Sequence, residues 1–160
     1  MKSLVLLSLF LGLFALPTFA ADEISGRVRA VDGDTLKLDG TVIRLFGIDA
    51  PELKQACKSK KRNTQHCGDL ARQMLNTLTQ NVKVKCHPKG RDEDGAVVAV
   101  CFAGPFDLNE QMVSSGWALP LTEETDAYVR AMKFARARRE GMWRGTFIPP
   151  KQWREENGEE

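Results

Sequence analysis

Val31-Asp32-Gly33-Asp34-Thr35 and, a few residues later, Ile43-Arg44-Leu45-Phe46-Gly47-Ile48-Asp49-Ala50-Pro51-Glu52 form the stretch on which the chain is organised. Asp32-Gly33 reads as a tight turn, because Gly accepts positive φ and Asp can bond its own backbone. Asp39-Gly40 reads the same way, so three short strands follow one another closely. Three carboxylates (Asp34, Asp49, Glu52) and one guanidinium (Arg44) fall within two strand-like segments. Hard oxygen ligands with a carboxylate and an Arg to spare suit a divalent cation facing a phosphodiester. For Asp32 turn capping is the preferred reading. An Arg in an apolar strand usually points outward or is paired; beside Asp34 and Asp49, Arg44 reads as a site residue.

Apolar positions Ile24, Val28 and Ala30 mark a first strand within residues 23–31, and Leu36 and Leu38 alternate with Lys37 and Asp39 in a second. Residues 42–48 form the third. The chain then loses periodicity until Gly68 and reads as a long basic loop. Leu70, Met74, Leu75 and Leu78 recur at helical spacing over 69–80 and are core contacts. Val82 and Val84 mark a fourth strand and Val98, Val100 and Phe102 a fifth, across a turn at Asp94-Gly95. Asp107 caps a short helix through Ser115 that Gly116 stops, and Trp117 plugs the barrel end. A last helix runs from a Thr125 cap to Glu140, with Ala127, Tyr128, Ala131 and Ala135 inward. Pro149-Pro150 and a polar tail finish the chain.

The pairing of the two opening motifs, in this order and spacing, closely resembles the thermonuclease (staphylococcal nuclease-like) family, which couples a DGDT turn to R-L-x-G-I-D-A/T-P-E. Asp107-Leu108-Asn109-Glu110, Gly116-Trp117-Ala118 and Gly141-Met142-Trp143 continue the likeness. It implies an α+β fold, a five-stranded OB-like β-barrel with about three packed helices, and hydrolysis of DNA or RNA phosphodiesters with Ca²⁺. By the same resemblance Asp34, Asp49 and the backbone carbonyl of Ala50 hold the metal, Glu52 orients or deprotonates the attacking water, and Arg44 clamps the phosphate. The chain departs from the family at the fourth-to-fifth strand turn. There the family's D-K/R-Y-G-R is Asp92-Glu93-Asp94-Gly95-Ala96, so Ala96 stands where a second phosphate-clamping arginine is expected. Tyrosines that some members place later are absent, and Leu119-Pro120-Leu121-Thr122 occupies that region. Arg91 and Lys89 are candidate substitutes. Weak turnover is the expectation, and the competing one is a noncatalytic OB-like module binding nucleic acid or another anionic polymer.

Residues 1–20 read as a secretory signal peptide: Lys2, an apolar run from Leu4 to Leu16 too short for a comfortable membrane span, and a small-residue cleavage site at Ala20. The partition is therefore 1–20 signal peptide, 21–150 nuclease-like domain and 151–160 polar C-terminal tail, in a secreted or periplasmic monomer with no stable membrane association after cleavage. Removing Lys2 leaves one basic residue fewer than the 23 of the whole chain against 21 acidic ones, a net charge of +1. Bulk electrostatics thus do not drive nucleic-acid binding, and a local site must. Lys58-Ser59-Lys60-Lys61-Arg62 and Lys83, Lys85, Lys89 and Arg91 are candidates, equally readable as solvated surface charge.

Four cysteines in an exported chain favour two disulfides, with three connectivities open. Cys57 and Cys67 bracket the basic loop, while Cys86 and Cys101 sit in the runs flanking the Asp94-Gly95 turn. Cys57–Cys67 and Cys86–Cys101 are the expected pairs, the second worth roughly 3 kcal/mol on the chain-entropy model. A zinc site from these cysteines with His66 and His87 fits no zinc template well.

Overall fold

The computed structural model describes residues 23–158; the reading of residues 1–20 as a signal peptide, and the last two residues of the tail, lie outside them. The N-terminal strand is broken in two, β1 (Ile24–Gly26) and β2 (Arg29–Ala30). A hairpin follows, β3 (Thr35–Leu38) and β4 (Thr41–Leu45). Its turn has Asp39 at φ 45° and Gly40 at φ 90°, the two positive values that suit the twist of a two-residue hairpin. The long strands β8 (Val84–Arg91) and β9 (Val97–Ala103) come later, after shorter elements. In the main sheet the order is β1-β8-β9-β4-β3-β2, with β4 and β9 parallel and the remaining neighbours antiparallel. The two edges, β1 and β2, are halves of one strand separated only by Arg27 and Val28, so the sheet curls back on itself as in an OB-like barrel. The five expected strands are present, the first split by this bend.

The third strand is shorter than expected. Gly47 (φ 74°) turns the chain after Leu45, and β5 (Ile48–Asp49) peels away to pair with β11 (Leu119–Pro120). Nor is the segment after Glu52 an open loop. It is a hairpin, β6 (Ala56–Lys58) with β7 (Thr64–His66), turned by Arg62 at φ 65° and stapled by Cys57–Cys67. Cys86–Cys101 joins directly opposed residues of β8 and β9. Both expected disulfides are formed and no described cysteine is free, which removes the zinc reading.

Helix α1 (Cys67–Thr79) covers one side, burying Ala71, Leu75 and Thr79 with Leu70, Met74 and Leu78 half-buried. Strand β10 (Phe106–Asp107) turns back to pair antiparallel with the end of β9 and leads into α2 (Leu108–Ser114), whose Glu110 N–H donates to the Asp107 cap at 3.0 Å. The following helix, α3 (Val129–Arg138), is shorter than the 125–140 expected. Residues 121–128 fold instead as successive turns, with Glu124 and Thr125 N–H both on the Leu121 carbonyl. Tyr128, Ala131 and Ala135 face inward, and Ala127 is exposed. Arg139, left-handed at φ 55°, ends the helix ahead of Gly141. After a 3₁₀ turn (Gly141–Arg144) comes a fourth helix, α4 (Pro150–Asn157). Most of the described part of the segment read as a polar tail is therefore helical. Pro150 at the first helical position starts it, a place where its missing N–H costs nothing.

Leu36, Ile43, Leu45, Ile48, Leu75, Val84, Leu108 and Met112 form the centre of the core, each almost fully buried. Asn109 lies among them. It accepts from the Cys101 N–H (3.1 Å) and donates to the Phe46 (2.8 Å) and Ala99 (3.3 Å) carbonyls, tying α2 to the chain at β4 and β9. Asn109→Ala strands these backbone groups away from water and should cost about 2–4 kcal/mol, read as a lower urea midpoint with unchanged m.

Candidate active site

The turn before β3 is built by Asp32, whose Oδ1 accepts from the N–H groups of Asp34 (3.0 Å) and Thr35 (2.7 Å), the Asx geometry expected of it. Gly33 serves a different purpose from the one expected: its φ is not positive. A Cβ there would stand 2.6 Å from that of Ala50 and 2.7 Å from that of Ala71. Glycine lets the turn close onto β5 and α1, which brings Asp34 beside Ala50. The Ala50 N–H donates to Asp34 Oδ2 at 2.7 Å, and Thr35 Oγ1 to Oδ1 at 3.1 Å. Burial of this carboxyl, and then the neighbouring Asp32 charge, push its pKa well above the usual carboxylate value, with Asp49 adding to the rise.

Asp49 is only 6% exposed, at the end of β5. Glu52 follows on a turn that Gln55 holds: the Gln55 N–H donates to the Glu52 carbonyl (2.7 Å) and the Glu52 N–H to Gln55 Oε1 (3.2 Å). Gly68, at the start of α1, lies so close to the Glu52 carbonyl that any Cβ would collide with it. Gln55, itself fully buried, also donates through Nε2 to the Ile148 carbonyl at 2.7 Å. Lys58 and Thr146 exchange backbone hydrogen bonds (2.9 and 3.0 Å) just before it. These contacts fix the approach of α4.

Arg154, on α4, is where this leads. Its Nη1 donates to Asp49 Oδ1 (2.8 Å) and Glu52 Oε1 (2.7 Å), and its Nη2 to Asp49 Oδ2 (3.3 Å). Burial works against its charge, but the two carboxylates outweigh that and raise its pKa further. A guanidinium thus bridges Asp49, one of the expected metal ligands, and Glu52, the expected base.

Arg44 is placed differently. Its strand neighbour Leu45 donates to the Asp34 carbonyl (2.8 Å), so its backbone adjoins the acidic cluster. Its guanidinium, however, pairs with Glu124 (3.0 Å) and Asp92 (3.7 Å). Glu124 also accepts from the Gly47 N–H at 2.8 Å. Arg44, Lys89, Arg91 and Glu124 line a shallow hollow of about 210 Å³. The turn after β8 is closed by Asp92, which accepts from the Ala96 N–H at 2.8 Å, and Arg91 Nη1 folds back onto the Gly95 carbonyl at 2.6 Å.

Among the described residues no three acidic, His or Cys side chains stand close enough to enclose a metal unaided. The donor chemistry nevertheless fits a hard cation. The oxygens belong to carboxylates, a positive group already sits on two of them, and calcium completes its shell with backbone carbonyls and water.

Gln55, Glu124 and Arg154 carry the site's geometry without having been singled out in the sequence. Only Arg154 had a local signal: Pro150, Trp153 and Arg154 fall on one face of a helix that Pro150 opens.

A family model described as Staphylococcal nuclease homologue matches residues 42–145. That span takes in Arg44, Asp49 and Glu52 and leaves Asp34 and Arg154 outside. A succinoglycan biosynthesis protein, ExoI, of Rhizobium meliloti (strain 1021) is 32% identical over 128 residues, 78% of this chain and 67% of that protein. An uncharacterized endonuclease of Haemophilus influenzae (strain ATCC 51907 / DSM 11121 / KW20 / Rd) is 30% identical over 162 residues, 96% of this chain and 85% of its own. One from Escherichia coli is 31% identical over 155 residues, covering 91% and 94%.

Because burial and the neighbouring Asp32 and Asp49 raise the Asp34 pKa, ionising this carboxyl costs folding free energy that Asp34→Asn removes. Wild type in chelator should therefore lose melting temperature as pH rises, and Asp34→Asn should lose less, measured by circular dichroism; equal pH dependence in the two proteins would count against this cost.

Proposed function

The chain belongs to the staphylococcal nuclease homologue family, and on that footing we propose that it is a secreted or periplasmic, Ca²⁺-dependent nuclease cutting DNA or RNA by attack of water. The observation that carries the reading is the convergence of Asp49 and Glu52 on one cationic group, with Asp34 adjoining. Asp34, Asp49 and the Ala50 carbonyl are the groups that would hold Ca²⁺. Bound there, the ion supplies positive charge for the phosphate oxygens. Glu52 takes the proton from the attacking water as its oxygen bonds to phosphorus. The ester P–O bond breaks, and the departing oxygen is protonated from solvent. Arg44 binds a non-bridging phosphate oxygen, exchanging Asp92 and Glu124 for substrate.

Two disulfides and the leader pattern of residues 1–20 support export, and no helix among the described residues is long and apolar enough to cross a membrane. The noncatalytic alternative draws on one observation, the acidic turn at Asp92–Asp94 with Ala96 where an arginine was expected.

Wild-type protein should cleave labelled single-stranded DNA or RNA with Ca²⁺ and stop when chelator is added; retention without cleavage favours the noncatalytic module. Glu52→Gln should lower kcat by about 10²–10⁴ without loss of fold. Ala96→Arg should raise the Ca²⁺-dependent rate, and an unchanged rate in a folded variant counts against the assigned weakness of that turn.

A further inference from the structure

We propose that Arg154 is a catalytic residue: its guanidinium is the second phosphate-facing arginine, supplied by the C-terminal helix in place of the turn at 92–96. The inference rests on the nuclease reading above and deepens it.

Position is the first argument. Arg154 Nη1 lies 2.7 Å from Glu52 Oε1, so a phosphate attacked by water held on Glu52 comes within reach of this guanidinium. Three of the five N–H donors of an arginine are committed, to Asp49 and Glu52, which leaves two for an anion. The side chain is 29% exposed, so the residue stands at the solvent edge of the site.

The second argument is charge: beside Arg44, the turn at 92–96 offers no second phosphate-facing arginine. Arg91 is folded onto the Gly95 carbonyl, and the turn itself presents Asp92, Glu93 and Asp94. A phosphodiester gains negative charge as it reacts and needs donors already aimed at it. Among the described residues Arg154 is the arginine that contacts Glu52.

The third is rigidity. Helix α4 is set by buried Pro150, by Gln55 on the Ile148 carbonyl and by the Lys58–Thr146 backbone pair. An arginine on such an element arrives already oriented, which is what makes a positioned group effective. Holding Glu52 with Nη1 while the free donors face phosphate, one side chain orients the base and binds the anion.

The test is cleavage of a labelled single-stranded oligodeoxynucleotide in Ca²⁺ by disulfide-intact protein. Arg154→Ala should lower kcat by about 10³-fold, within the range of transition-state arginines elsewhere. Arg154→Lys should recover only part, because a point charge does not fork. Millimolar guanidinium chloride should partly restore Arg154→Ala and not Glu52→Gln, and Lys151→Ala, on the exposed side of α4, should match wild type. In chelator, where nothing is cut, Arg154→Ala should bind the oligonucleotide about tenfold more weakly, because two carboxylates are left uncompensated. Adding Ala96→Arg to Arg154→Ala should return activity. Cleavage by Arg154→Ala at the wild-type rate overturns the inference, and faster cleavage overturns it by making α4 a block. A loss that guanidinium does not rescue and that follows a fall in melting temperature also overturns it. Wild type that leaves the oligonucleotide intact overturns the nuclease reading and this inference with it, whereas the other results bear on Arg154 alone.

Discussion

Three carboxylates brought together at one end of a curled sheet repel one another, and the surrounding structure must supply positive charge to offset them. Asp34 shows the cost most plainly: enclosed, and beside Asp32 and Asp49, it gives up its proton less readily than an ordinary aspartate. Asp49 and Glu52 are relieved by Arg154. Truncating one member of a partly buried ion pair leaves the other charge uncompensated, so helix α4 and the acidic cluster are coupled in stability.

The scaffold creates this crowding deliberately through contacts that allow no spare volume. Gly33 lets the first turn press on Ala50 and Ala71, and Gly68 lets α1 press on the backbone of Glu52. Gln55 then joins the Glu52 turn to the segment that leads into α4. At the two glycines an added carbon would meet a methyl group or backbone, so the elements that carry the carboxylates would have to shift.

The charge of Arg44 is balanced separately. Arg44 adjoins the acidic cluster through its strand, yet its guanidinium is answered by Glu124 and Asp92. Glu124 reaches it because residues 121–128 form turns anchored on Gly47, at the expense of the first turn of α3. The acidic turn at 92–96, unfavourable for holding phosphate, has a structural use here: Asp92 closes it and partners Arg44.

What near neighbours decide could be read from the residues alone. The Asx turn at Asp32, the two-residue turn at Asp39-Gly40, the Asp107 cap and the strand alternation were legible, because sterics and hydrogen bonds within a few residues select them. The disulfide pairs were legible from the loop and the hairpin turn that they bracket. Gly33 was legible as essential, though for a φ it does not adopt; its reason is a contact with Ala50 and Ala71, which local reading does not contain. The partners of the site charges were settled only by tertiary structure. Arg154 is 105 residues from Asp49 and Glu124 is 80 from Arg44. An ion pair across such separations depends on where packed elements lie in space, and side-chain charge alone leaves that choice open until the core has set it.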